Sequence, residues 1–195
     1  MKLPTVDPAT LNVQPIDWTG LDQRYMNPGE LEILIALIRS VNPRGVLEIG
    51  VNSGRTAKAI LDNVPGIEHY QGVDVLPGYK TERRVQRREV PETPGALAAR
   101  DGRFELVLRS RGSLDLCAAD LRPCDAVFID GDHGRKAVTH DTKLARQLVR
   151  PGGIIIWHDY HDLDVVDVRA VLDELYDQGW PLNHLTNTWI AFSAG

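Results

Sequence analysis

The sequence predicts an α/β fold, a doubly wound three-layer domain built around a mostly parallel sheet of about seven strands. Three observations predict it. The runs VLEI (46–49), AVFI (126–129) and GIII (153–156) are almost continuously apolar and largely β-branched, as strands covered by helices on both faces must be. Runs with helical periodicity alternate with them, the pattern that winds parallel strands through crossovers. Acids close the predicted strands at Glu48, Asp74, Asp130 and Asp159, and in an open parallel sheet ligands bind outside the carboxyl ends of the strands.

The elements follow in order. Residues 1–26, rich in Pro and Asp, hold no sustained period and read as an N-terminal arm, a lid or packing, with Gln23, Arg24 and Tyr25 as candidate specificity residues. Residues 27–195 read as one domain. Asn27–Pro28 starts a helix, which Leu31, Leu34, Ile35 and Ile38 carry at helical spacing until Asn42–Pro43. Next come strand 46–50, helix 55–63, and strands 70–75 and 104–109. A short helix near 113–121 leads to strand 125–130, helix 136–149, strand 153–159, helix 165–178 and closing strands near 183–186 and 188–193. Residues 77–102 combine charge with Pro and Gly and read as a flexible basic insertion. Its Lys80, Arg83, Arg84, Arg87 and Arg88 either close over an acidic substrate or form a solvated helix face.

Composition narrows the function classes. A chain of 195 residues, 43% hydrophobic, suits one domain with a sizeable core. A formal charge of −5 argues against general nucleic-acid binding, although residues 77–111 hold nine Lys/Arg against five Asp/Glu. No apolar run approaches the ~20 residues that cross a bilayer, and the start lacks the apolar core of a signal peptide. The expectation is a soluble, cytoplasmic protein acting on a small molecule, with no nucleic-acid or membrane partner and a homodimer as the default assembly. Cys117 and Cys124 match no metal or redox spacing.

The stretch Glu48-Ile-Gly50-Val-Asn52-Ser53-Gly54 matches neither GxGxxG nor a P-loop ending in GK[ST]. Gly50 and Gly54 let backbone approach a ligand closely, and Asn52 tolerates positive φ. Glu48 either favours an ammonium or sulfonium over a pyrophosphate or merely caps a tight turn. A rim of four acids asks for a positive, hydroxyl-bearing guest.

EIGVNSG, the acid closing GVDV, FIDGDH and PGGIIIWHDY are similar to the motifs of class I S-adenosylmethionine-dependent methyltransferases. Over residues 30–193 the chain most resembles small O-methyltransferases of the metal-dependent catechol and caffeoyl-CoA type. The resemblance implies a Rossmann-like fold, S-adenosylmethionine as cofactor and methyl transfer to a small-molecule hydroxyl. It sets Glu48, Gly50, Asn52, Ser53 and Gly54 along the methionine part, Asp74 on the ribose hydroxyls, and Ser110 and Asp130 as further contacts. His133, where relatives carry a lysine base, becomes the general base, with Asp130 beside it and His161 as backup. Asp130, His158 and Asp159 become ligands of a divalent metal such as Mg or Mn, although Tyr160 stands where those relatives carry Asn. Two alternatives stay open: no metal, with Asp132 capping a helix and His158 packing under the rim, and a catalytically silent S-adenosylmethionine-binding module.

Overall fold

Parallel strands need long crossovers, and the chain supplies them as helices. The computed structural model describes residues 2–22, 26–79, 90–163 and 165–194. In chain order its strands and longer helices are β1 (Thr5–Val6), α1 (Glu30–Ser40), β2 (Gly45–Ile49), α2 (Arg55–Asn63), β3 (His69–Val75) and β4 (Phe104–Arg109). Then follow β5 (Cys124–Ile129), α3 (Arg135–Leu148), β6 (Val149–Trp157), α4 (Val168–Asp177), β7 (Asn183–Leu185) and β8 (Ala191–Ala194). The sheet has eight strands in the order β1-β7-β8-β6-β5-β2-β3-β4. β2 to β6 pair in parallel, and β8 pairs antiparallel with β6 and β7. The eighth strand comes from the N-terminal arm: Thr5 and Val6 pair with His184 and Leu185 on the edge of β7. The short helix expected near 113–121 is two 3-10 turns, Gly112–Asp115 and Ala118–Asp120.

Strand parity sorts the core into two layers. Val46, Ala126, Phe128, Ile154 and Ile156 pack on the α1/α2 side with Leu34, Ile35 and Ile60. Leu47, Ile49, Val127, Ile129, Ile155 and Trp157 pack on the α3/α4 side with Val138, Leu144 and Leu172. Each such side chain contributes about 1.5–3 kcal/mol by leaving water, which rigidifies the central strands and so fixes their carboxyl ends. The chain reverses its order between β5 and β2, where β3 and β4 lie to one side and β6 to the other. A crevice at that switch point is where this architecture binds ligands. Among the described residues, no helix is long and apolar enough to cross a membrane.

Candidate active site

A cavity of about 360 Å³ opens over the carboxyl ends of the parallel strands, lined from β2 by Gly50, Asn52 and Ser53, from β3 by Asp74, and past β5 and β6 by Asp130, His133, His158 and Asp159. Gly50 has φ +94°, and a Cβ there would meet the Asp130 carbonyl oxygen at 2.1 Å. Its bare backbone therefore lets the ends of β2 and β5 close against each other. Asn52 has φ +51°, and its amide donates to Asp74 Oδ2 at 2.6 Å. Asp74 Oδ1 accepts from the Val75 amide, also at 2.6 Å. Burial still raises the Asp74 pKa, with those amides opposing it, and the carboxylate faces the cavity with lone pairs to spare.

Three expected cofactor residues stand elsewhere. Glu48 does not line the cavity: it shares strand parity with Val46, so it points under the rim toward α1 and α2, fully buried. Tyr70 Oη donates to its Oε2 at 3.0 Å. Burial pushes the Glu48 carboxyl well above the ordinary range, the Tyr70 hydroxyl opposing and the Asp130 and Asp74 charges adding, and the side chain faces Tyr70 rather than the cavity. Gly54, with φ +84°, is taken up by the neighbouring turn, since a Cβ there would meet the Gly95 carbonyl oxygen at 2.9 Å. Ser110 is exposed outside the cavity, and Arg111, Ser113 and Leu114 line it instead.

The other half of the rim is a network of charge. His133 Nε2 lies 2.9 Å from Asp159 Oδ2 and 3.5 Å from Asp130 Oδ1. Burial works against the His133 cation, but the two carboxylates outweigh it and hold the imidazole up at about 10. Asp159 sits at φ +60°, a conformation that costs a non-glycine residue energy and persists where surrounding contacts enforce it. Burial opposes its anion, yet His133 and His158 keep its pKa far below the ordinary value. Asp130, His133 and Asp159 each offer a ligand atom, all within 4.8 Å of one another. His158 is not in that triad. It shares the parity of Ile154 and Ile156, so its ring drops toward α1, where Nε2 meets Glu30 Oε2 at 3.1 Å. Its Nδ1 faces Asp130 and Asp159 at 3.5 and 3.4 Å. His161 packs its ring 4.3 Å from that of Trp189, and its Nδ1 accepts the Leu163 amide at 3.0 Å. Asp132 Oδ1 accepts from the Gly134 amide at 2.7 Å in a local turn ahead of α3, whose N-cap is Gly134 with no side-chain cap, so Asp132 does not cap the helix.

A methyltransferase-domain family model matches residues 47–160, which run from β2 past the end of β6 and contain the glycine turn and all three rim aspartates. The chain belongs to this methyltransferase family. No curated protein sequence matches it. Solved structures share the fold. Cofactor-bound Rv0187 from MTB has 20% identity and a TM-score of 0.61, covering 90% of this chain and 83% of that one. TomG, an O-methyltransferase from Streptomyces achromogenes involved in tomaymycin synthesis and solved with SAM, has 16% identity and a TM-score of 0.59, covering 96% and 94%. An O-methyltransferase from Bacillus cereus in complex with SAH has 18% identity and a TM-score of 0.58, covering 96% and 87%.

Sequence reasoning missed Glu30, which ties this methyltransferase's rim together. The buried carboxylate accepts from the Asn27 amide at 2.8 Å, Asn27 Nδ2 at 3.0 Å, the Trp189 amide at 2.6 Å and His158. Burial would raise its pKa, but those hydrogen bonds bring it down to about 2. Asn27 and Glu30 show a capping-box spacing, so the local half of that role was visible, whereas the partners 128 and 159 residues away were not. Lys80, Arg83, Arg84, Arg87, Arg88, Gln23, Arg24 and Tyr25 lie outside the described residues.

Proposed function

We propose that this chain transfers the methyl group of S-adenosylmethionine to a hydroxyl oxygen of a small molecule. One observation carries the reading: on a chain of the methyltransferase family, Asp74 and the Asp130–His133–Asp159 cluster line the same cavity. In this reading the cofactor lies across the β3–β2–β5 ends. Asp74 accepts the ribose hydroxyls, the Gly50–Ser53 turn takes the methionine part, and Glu48 and Gly54 support that turn from behind. The sulfur then faces Asp130 and Asp159.

Transfer is an in-line displacement: the acceptor oxygen bonds the methyl carbon as its bond to sulfur breaks, leaving S-adenosylhomocysteine and a methyl ether. The acceptor proton leaves to bulk water at the Asp130–Asp159 end of the cavity. His133 cannot take it while it is held as a cation between two carboxylates, and the His161 Nδ1 lone pair is engaged by Leu163. With its proton displaced by the ion, His133 would complete with Asp130 and Asp159 a mixed N/O donor set that fits a borderline divalent cation such as Mn, Fe or Zn. Such an ion would lower the pKa of an acceptor hydroxyl and orient it. His161, Trp189, Met26 and Leu163 wall the same end and hold the acceptor against the methyl group, with water excluded from the apolar side.

The test is calorimetry with S-adenosylhomocysteine, with and without Mn²⁺, followed by S-adenosylhomocysteine release from S-adenosylmethionine across a panel of phenols, sugars and aliphatic alcohols. Saturable binding that Asp74→Ala weakens about tenfold or more supports the cofactor reading, and its absence refutes it. A silent binding module is the second reading, favoured by the locked His133 cation. Binding without turnover on any acceptor, unchanged by Mn²⁺, would select it.

A further inference from the structure

α3 carries a carboxyl that no role above uses. Asp141 is fully buried, and neither of its oxygens makes a hydrogen bond among the described residues. Burial pushes its pKa up to about 7, the nearby Ser113 side chain opposing without reaching hydrogen-bonding geometry and the Asp132 charge adding. A group in that condition costs stability that a leucine in its place would not.

Its position indicates what it serves. Asp141 lies one helical turn along α3 from Ala137, on the same face, and Ala137 lines the cavity. Ser113 lines it too, its carbonyl oxygen held by His140 Nε2 at 2.9 Å. The turn bearing Ser113 lies against β3: a Cβ on Gly112 would meet Val75 Cγ1 at 3.2 Å and the Asp74 backbone carbon at 3.9 Å. Ser113 therefore follows β4, beside the carboxylate assigned to the ribose, at the opposite end of the rim from Asp159 in strand order. On that side of a ribose lies its base.

We propose that Asp141 is a positioning residue that accepts the Ser113 O–H, so that the Ser113 oxygen offers its lone pairs to the exocyclic amine of the cofactor's adenine. The inference rests on the cofactor reading above. Adenine presents an amine donor where hypoxanthine presents a carbonyl acceptor, so the Ser113–Asp141 pair selects against a 6-oxo base. It also accounts for a carboxyl kept at a cost to the fold, since such violations concentrate at functional sites.

Calorimetry with S-adenosylhomocysteine and its 6-oxo analogue S-inosylhomocysteine tests it on the wild-type chain, Asp141→Leu, Asp141→Asn and Ser113→Ala. The wild-type chain is expected to prefer the adenine ligand about tenfold or more, the loss typical of one mismatched buried hydrogen bond. Asp141→Leu and Ser113→Ala bring the ratio close to one, and Asp141→Asn, whose side-chain oxygen still accepts from Ser113, retains most of it. Asp141→Leu also raises the melting temperature of the ligand-free chain, which loss of a structural contact would not do. If the leucine variant does not fold, Ser113→Ala decides alone. A ratio that Ser113→Ala and Asp141→Leu leave unchanged overturns the inference but not the cofactor reading. No binding of S-adenosylhomocysteine by the wild-type chain overturns both.

Discussion

The two halves of the rim are built on opposite principles. At the ends of β2 and β3, turns shape the wall, Glu48 is buried beneath the rim against Tyr70, and the Asp74 carboxylate is steadied by backbone amides. At the ends of β5 and β6, Asp130, His133, His158, Asp159 and Glu30 form one charged network in which every imidazole faces a carboxylate. The first half suits a ligand held by shape and by its diol. The second stores charge where a proton must move, and preorganised charge is what stabilises a reacting centre. Binding and chemistry are thus separable along the rim, and substitutions should separate them.

The largest effect is expected at Asp159. Asp159→Asn removes the charge opposite His133 while keeping the side-chain shape, and methyl transfer should fall roughly 10²–10³-fold, as for a lost preorganised electrostatic contact. Its S-adenosylhomocysteine affinity should stay within about twofold. The converse variant is Asp74→Ala, expected to weaken S-adenosylhomocysteine about 10–100-fold while leaving Mn²⁺ affinity unchanged by calorimetry. If either variant damages both properties equally, the halves are not separable.

Gly50 sits on the seam between them. A methyl group there would meet the Asp130 carbonyl oxygen and require φ +94°, so Gly50→Ala should cost roughly 2–4 kcal/mol of stability in chemical denaturation. Both halves should fail together.

The smallest effect is a pH dependence at Glu30, whose pKa is brought down to about 2 from an ordinary 4.5. A depressed carboxyl pKa contributes stability that is fully present above about pH 4.5 and lost as pH falls toward 2. Glu30→Gln should therefore flatten the acid limb of a melting-temperature profile between those values and leave the profile above pH 5 parallel to that of the wild-type chain. An unchanged acid limb would show that other carboxylates dominate acid unfolding.

The same contrast explains what the sequence made legible. Seven strands and four helices could be read from periodicity because each is a local property of fewer than fifteen residues. Asp74, Asp130 and Asp159 could be read because strand ends in a parallel sheet share one rim. Strand parity places two other candidates differently from the rim aspartates: Glu48 follows Val46 under the rim and off the cavity, and His158 follows Ile156, so that its Nε2 reaches Glu30 while its Nδ1 stays at the cavity beside Asp130 and Asp159. On that face Tyr70 meets Glu48 and Glu30 meets His158. Glu30, Trp189 and Asp141 stayed hidden for a different reason. Their neighbours come from other elements or distant sequence, and no local pattern encodes which buried acid will meet which ring. The β1 strand was equally invisible, because two residues carry no period.

A crystal structure of the chain with S-adenosylhomocysteine tests the division of the rim most directly. The ribose hydroxyls should lie on Asp74, the base against Ser113, and the sulfur toward Asp130 and Asp159. A ligand seated in the reverse direction, or outside the cavity over β2 to β6, would contradict it.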